Sequence, residues 1–529
     1  MIREEIKKLT EKAVKDLYGK EVEVRIEQPQ DPVFGDYATN VAMTLKKNPQ
    51  EIASQIKSDI LEKAEVKNSF INFFISKAYL QKQVKEILKE KDKFGGLKIG
   101  KGEKVNVEFI SANPTGPLTL GNGRGGFCGD VLANVLQKAK YKVTREYYIN
   151  DIGGQITRLG YSYVSGPSEF KPYQNADIDE LKKDSRVIRA IEEYKNYPDP
   201  DKGNEIGKVV ANIFLKEKIK PIISEMKINF DVWFSEKSLY RGKEKEKIIN
   251  EFQKKNLVYY NKEDKTLWFK STKFDDDKDR VLIKGYRTGR EETYFLSDII
   301  YLKNKFKKRK FNYLIYFWGA DHFGYINRIK AAAEALGFDK DKVRMIIMQL
   351  VRLIQQGKEV RMSKRTGTYV TLDELIDEVG LDVARFFFLT RSPDTHLNFD
   401  LDLAKEQSEK NPVYYIQYAH ARICSILKKA TVGDSTKHLK LEDPAELRLV
   451  KQLIRLPEII EDISKDYQVQ RLSQYAVDLA TTFHKFYQEC RVISEDKNLT
   501  QARLSLVLAT KIVLKNTLDL MGISAPEEM

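Results

Sequence analysis

Three pieces in immediate succession restrict this chain more than any other feature: a short strand, a glycine-rich loop and a helix. "VNVEFI" at 105–110 is β-branched and apolar, "TGPLTLGNGRGG" at 115–126 is a turn-forming loop, and "GDVLANVLQKAKY" after it has helical spacing. This order is the local grammar of a doubly wound, Rossmann-like parallel sheet that holds a nucleotide at the start of a helix. It returns where "NYLIYFWGADH" reads as a strand running into a loop and "NRIKAAAEALGF" as the next helix. Residues 160–290, between the two, are charged and irregular and read as insertions.

Free N–H groups and the macrodipole favour an anion at a helix start. Gly121, Gly123, Gly125 and Gly126 let one approach the backbone, and Asn122 adds an amide donor. No Gly-Lys-Ser/Thr follows, so the loop is not a Walker motif, and no acid stands at the dinucleotide spacing. A purely structural tight turn uses the same glycines, so the loop alone leaves both readings open.

The rest of the chain frames this α/β region. Ile2, Ile6, Leu9, Ala13 and Leu17 recur at helical spacing, "EVEVRIEQP" and "NSFINFFIS" alternate as strands, and "DPVFGDYATN" between them is turn-rich. This small α+β module ends at the linker "KFGGLKIGKGEK". Beyond Asp400 strand signals vanish, and stretches such as "QARLSLVLATKIVLKNTLDLMGI" read as an all-α helical bundle, with Lys511, Lys515 and Asp519 as one polar stripe. The expected division is 1–97, 98–400 and 401–529, in keeping with about three domains for 529 residues.

A hydrophobic fraction of 42% excludes global disorder, while a formal charge of +14 suits either a polyanionic partner or plain solubility. Cys128, Cys424 and Cys490 form no CxxC pair, so neither a structural metal nor a disulfide framework is expected. The N-terminus carries acids in an amphipathic pattern and no run approaches membrane-spanning length, which reads as a cytoplasmic protein without a membrane partner.

A second loop decides between the readings of the first. "GKEVRMSKRTGTYVTLDEL" places Met362, Ser363, Lys364 and Arg365 before a helix. Two cations and a hydroxyl on a glycine-flanked loop suit a triphosphate, because a lysine charge helps most as the pyrophosphate leaves. The two loops resemble the HIGH and KMSKS elements of class I aminoacyl-tRNA synthetases, and their surroundings resemble the bacterial-type arginyl-tRNA synthetases. The resemblance runs through "FGDYATNVAM", "VEFISANPTGPL", "REYYINDIGGQI", "FDVWFSEKSLY", "WGADHFGY", "FFFLTRSPDTHLNFDLDLAKEQSEKNPVYYIQYAHARICSI" and "MGISAPEEM".

This resemblance implies formation of arginyl-adenylate from arginine and ATP, then esterification of the terminal adenosine of a cognate tRNA, with activation itself requiring bound tRNA. It implies magnesium carried by ATP, no structural metal, and a monomer. It places Pro114, Gly116, Gly121, Asn122, Gly123, Met362 and Lys364 on ATP, with Lys364, Ser363, Asn122 and Thr119 in the catalytic set. Asp321 joins the ATP set from its place after an apolar strand, where α/β ligands bind, and Gln349 as a residue approaching ATP or arginine. Thr119 and Asn122 stand where the family pattern has histidines. Asn122 keeps a neutral donor, whereas Thr119 is shorter and never cationic, so Thr119 is the expected weak point. A synthetase for another amino acid and a silent tRNA-binding paralogue are the alternatives.

A guanidinium offers five planar donors and a permanent charge, so its pocket needs carboxylates. Tyr294 and Asp298 stand four apart on one helical face. By resemblance they read arginine with Glu236, while Asn113 holds the amino acid's polar backbone atoms and Glu108 lies on the strand before it. His322 beside Asp321 suits either a ligand role or a structural one. Tyr414, Tyr415, Tyr418, His420 and Arg422 combine rings and a cation suited to stacking RNA bases, with at least one tyrosine expected in the core. The resemblance assigns Tyr414, Tyr418, Arg422 and Met529 to the anticodon and the N-terminal module to the tRNA corner. The run "KNKFKKRKF" reads as a solvated face.

Overall fold

The computed structural model describes residues 1–166, 172–173, 176–285, 291–360, 370–430 and 440–529. The chain forms two compact units: Lys98–Gln407 with Tyr467–Gln470, and Met1–Leu97 with Ser408–Asp466 and Arg471–Met529.

At the centre of the first unit lies a five-stranded sheet of β1 (Lys104–Glu108), β2 (Lys142–Ile149), β3 (Val232–Ser235), β4 (Tyr313–Gly319) and β5 (Val343–Met348). All pairings are parallel, in the order β5-β4-β1-β2-β3. Sequence order reverses at β1, between β2 on one side and β4 on the other. Such a switch point opens a crevice beyond the strands' carboxyl ends. Helix α1 (Leu120–Lys138) follows β1 and is buried along most of its length, as a helix covering a parallel sheet must be. Helix α2 (Tyr294–Lys303) continues as a wider turn, Asn304–Lys308, and α3 (Leu372–Val379) comes after the second glycine-flanked loop.

The 160–290 stretch, expected to be irregular, is largely regular. It holds helices such as Asp199–Ile213, lends β3 to the central sheet, and builds most of a four-stranded antiparallel sheet between Val258 and Glu292. Its first helices pack at very close range, with Gly160 and Gly207 each facing backbone where a Cβ would sit under 2 Å from a carbonyl oxygen. Charge on the outer faces hid this order from a composition reading.

In the second unit the first helix, Ile2–Tyr18, and a three-stranded antiparallel sheet pack with C-terminal helices. Arg3 donates to Asp462 and Glu461 of the helix Leu456–Asp466, with Nη2 at 2.7 and 2.6 Å respectively. Asn516 Nδ2 reaches the Lys91 carbonyl at 2.9 Å. The expected strand at 21–27 does not form: Val24 is buried in keeping with the alternation, yet only Glu27 pairs, with Ala38. Its neighbour Tyr37–Thr39 is three residues long, and Pro29 and Pro32 break the run just beyond Glu27. No described helix is long and apolar enough to cross a membrane.

Candidate active site and RNA-facing surface

The glycine loop begins with a bend that few side chains tolerate. Just beyond β1, Ile110 and Ser111 have φ of +63° and +40°. Ile110 is β-branched, so this is backbone strain held by its surroundings. Ser111 Oγ accepts from the Tyr148 N–H at 3.0 Å, and the Tyr147 hydroxyl donates to the Ala112 carbonyl at 2.8 Å. The chain then reaches Thr119, the N-cap of α1, whose hydroxyl accepts from the Asn122 N–H at 3.4 Å. In return Asn122 Oδ1 accepts from the Thr119 N–H and hydroxyl, both at 2.9 Å. This reciprocal capping box fixes the loop end where the helix dipole emerges. Thr371, the N-cap of α3, forms an antiparallel bridge with Thr119, and the Leu372 N–H donates to the Leu118 carbonyl at 3.0 Å.

A cavity of about 580 Å³ opens at this point, between the start of α1 and the carboxyl ends of β4 and β5. Thr119, Gly121, Asn122, Asp321 and Gln349 line it. Arg124, fully buried one turn into α1, donates at 2.8 Å to the carbonyls of Gln349, Thr395 and Ser392 and so ties the two walls together. Pro114 is buried and Gly116 half-buried in the loop, outside the cavity lining, and Gly123 packs against Leu372. Asp321 is well exposed, with His322 at 3.5 Å and the rings of Trp318 and Tyr325 beside that histidine. Met362, Ser363 and Lys364 lie outside the described residues.

A cluster of acids stands between the end of β3 and α2. Glu236, buried just after β3, is pushed up to about 7 by burial and by Asp151, against hydrogen bonds from Ser297 and Tyr148. With its amide turned to satisfy both neighbours, Asn150 donates to Glu236 Oε2 at 3.0 Å. Asp298, on α2, is likewise raised to about 7, first by burial and then by Glu236 and Glu108. Tyr294, one turn earlier, is 47% exposed and flanks the pair. Among the described residues neither Glu236 nor Asp298 has a salt-bridge partner. Asn113 is exposed in the loop after β1.

Glu108 has a different setting. It is buried on β1, paired with Lys305 at 2.6 Å and accepting from the Tyr301 hydroxyl at 2.9 Å. Lys305 also lies 3.5 Å from Glu146 of β2, and Arg309 donates to Glu146 at 3.0 Å. Burial opposes ionisation of Glu146, but Lys305 and Arg309 together hold it below the usual range. The basic run is therefore not simply a solvated face. The wide turn after α2 swings Lys305 inward, where it is completely buried, and the two acids on neighbouring strands balance it.

On the C-terminal helices, Tyr414 and Tyr418 stack with centroids 6.4 Å apart and planes 7° from parallel. The Arg422 guanidinium lies 4.7 Å from the Tyr418 ring and 5.1 Å from that of Tyr487. A cavity of about 550 Å³ opens beside them, lined also by Lys428, Lys429 and the exposed Met529. His420 does not join this surface. It is buried, and its Nδ1 sits 2.8 Å from the Pro526 carbonyl oxygen. Tyr415 packs against His484.

Three family models cover the chain in order: "Arginyl tRNA synthetase N terminal domain" at 1–75, "tRNA synthetases class I (R), catalytic domain" at 83–400, and "DALR anticodon binding domain" at 416–529. An arginine–tRNA ligase of Carboxydothermus hydrogenoformans is 43% identical, with 96% of this chain and 95% of that protein aligned. The chain belongs to the arginyl-tRNA synthetases. The Staphylococcus aureus arginine–tRNA ligase is also 43% identical over the same shares of each chain. The Thermus thermophilus arginyl-tRNA synthetase structure superposes with a TM-score of 0.82 at 21% identity over all of both chains, which speaks for the fold.

Within this synthetase, reading the sequence alone missed Arg124, the Lys305 pairing, Asn150 and Tyr487. Arg124 stood inside a loop read for its glycines, Thr119 and Asn122. Tyr487 is more than sixty residues from Arg422, and its only local signal is the ring-rich "FHKFYQ".

Proposed function

We propose that this synthetase activates arginine with ATP at the crevice beyond β1 and β4 and transfers it to the 3′-terminal adenosine of an arginine-accepting tRNA, with activation dependent on that tRNA. The observation that supports the proposal is the pair of acids, buried Glu236 and half-buried Asp298, both raised to about 7 and without a salt-bridge partner among the described residues. A guanidinium supplies that missing charge and donates in a plane to both carboxylates. Tyr294 flanks it, and Asn113 and Glu108 serve the amino acid end, Glu108 by holding Lys305 and the floor of the site.

ATP lies in the cavity with its phosphates toward the start of α1, near Asn122 and Gly121, while Asp321 and Gln349 face the nucleoside side. Pro114, Gly116 and Gly123 shape the loop. Lys364, with Ser363 and Met362, neutralises the departing pyrophosphate, and magnesium arrives with ATP as part of the substrate. The arginine carboxylate attacks the α-phosphorus, forming the mixed anhydride and expelling pyrophosphate. The terminal ribose hydroxyl then attacks the carbonyl and AMP leaves. Positioning and charge supply the catalysis, with no covalent enzyme intermediate.

Tyr414, Tyr418, Arg422 and Met529 meet the anticodon, where stacked rings and a cation suit unpaired bases. The N-terminal module meets the tRNA corner, within a 1–97, 98–400 and 401–529 division, in a cytoplasmic monomer. Arginine-dependent ATP–pyrophosphate exchange, run with and without cognate tRNA, tests this reading. Exchange is expected only with tRNA; none in either condition overturns it. Asp298→Ala should raise the arginine KM at least about tenfold, the loss expected for one charged contact, and an unchanged KM removes Asp298 from the pocket.

A further inference from the structure

The two residues that replace the histidines are bonded to each other, and this makes their roles unequal. The Thr119 backbone N–H can only donate, so the atom of Asn122 that it meets at 2.9 Å is the amide oxygen. The Thr119 hydroxyl donates to the same oxygen at 2.9 Å and accepts the Asn122 N–H at 3.4 Å. Its single proton is spent within the box, and what remains is a lone pair, which a phosphate oxygen does not attract. The amide nitrogen of Asn122 points the other way and has no hydrogen-bond partner among the described residues, and Asn122 lines the cavity. The box is held from outside as well. Thr119 bridges to Thr371, and Leu372 occupies the space a Cβ on Gly123 would need, with its Cδ1 2.5 Å from that position.

We propose that Asn122 Nδ2 alone makes the side-chain contact from this loop to the ATP phosphates, and that Thr119 is a positioning residue acting through Asn122. The proposal rests on the assignment of this cavity to ATP. The pair then differs in kind from two histidines, which offer two separate donors. Here one side chain is the tool and the other its mount. Neither titrates near neutrality, so the loop itself adds no pH dependence.

The test is a mutant cycle on the full chain, reading kcat and the ATP KM in tRNA-supported pyrophosphate exchange, with thermal melts alongside. Asn122→Asp keeps the oxygen that caps the helix but turns a carboxylate oxygen toward the triphosphate. It should melt like the parent and lose about 100-fold in kcat, as removal of a transition-state donor does. Thr119→Ser should stay within about twofold of the parent, since the hydroxyl is retained. Thr119→Val should lose about tenfold in kcat through misplacement of Asn122, and adding Thr119→Val to Asn122→Ala should cost nothing further. Losses that multiply in the double variant would place Thr119 on ATP itself and overturn the proposal, as would full activity of Asn122→Asp. A parent without exchange overturns the ATP assignment together with the inference, whereas an active parent with multiplying losses overturns the inference alone.

Discussion

Asp298 and Glu236 carry a proton balance set by where they sit. Their ordinary values are 3.8 and 4.5, and burial, helped by Glu236 and Glu108 at Asp298 and by Asp151 at Glu236, raises both to about 7 in the folded chain. Between those limits the folded state holds more protons than the unfolded one. Their contribution to stability is therefore full below pH 4 and is lost as pH rises through 7. Arginine inverts the preference, because a guanidinium binds the ionised pair and expels whatever proton the empty pocket held. With both acids ionised in the complex, the arginine Kd should improve by up to about a hundredfold per pH unit below pH 7 and level off above 8. Calorimetry in two buffers of different ionisation enthalpy should show proton release that fades over the same range. A Kd flat from pH 6 to 8 would mean that these acids do not receive the guanidinium. This much of the pocket was legible in part: four-residue spacing put Tyr294 and Asp298 on one face, whereas Glu236 came only from resemblance. Asn150, which fixes the Glu236 carboxylate, had no signal, since its role depends on which way β2 exits the sheet.

Secondary structure was most legible where a local pattern also had a partner to satisfy it. The strand, glycine loop and helix at 104–138 appeared as expected because β1 is flanked by β2 and β4 on both edges and α1 caps itself. Residues 21–27 kept their alternation but lacked a neighbour of matching length. The run at 303–310 misled for the opposite reason: its charges were counted without the two acids that β1 and β2 bring beneath Lys305. Helix α1 holds the less visible partner, Arg124, and its three carbonyl acceptors come from chain segments over 200 residues away. Arg124→Met would fill similar space and leave those buried acceptors unpaired. At about 1 kcal/mol or more for each, the loss should reach about 3 kcal/mol. In urea this appears as a lower midpoint with an unchanged slope. The ATP KM should rise as well, because Gln349 is one of the residues released. Arg124→Lys, which replaces three directed donors' geometry with a point charge, should recover only part of either effect. A variant as stable as the parent would mean that water takes over the three acceptors.

At the scale of the whole chain, the helical C-terminal part and the N-terminal module share one compact unit although more than 300 residues separate them. No periodicity can announce this, because the residues that join them are ordinary surface types until they meet. Arg3 looks like one of many cations near the N-terminus. Its guanidinium nevertheless spans Glu461 and Asp462, and its backbone N–H donates to Glu458 at 3.0 Å, an acid that also accepts from the Tyr37 hydroxyl at 3.0 Å. Burial raises the Glu458 carboxyl, and the Arg3 charge offsets part of that rise. Lys451 pairs with Asp36 at 2.7 Å as a second tie. Replacing Arg3 with Met keeps the stem that packs and removes the charge. The cluster is partly solvated, so the expected loss is about 1–3 kcal/mol, below that of a fully buried pair. Its location is the sharper prediction. If the two segments fold as one unit, hydrogen exchange in Arg3→Met should quicken together in Ile2–Tyr18 and Leu456–Asp466 and leave the amides of β1 and β4 as they were. Faster exchange confined to Ile2–Tyr18 would instead mean that the first helix detaches alone, and that the C-terminal helices hold their fold without it.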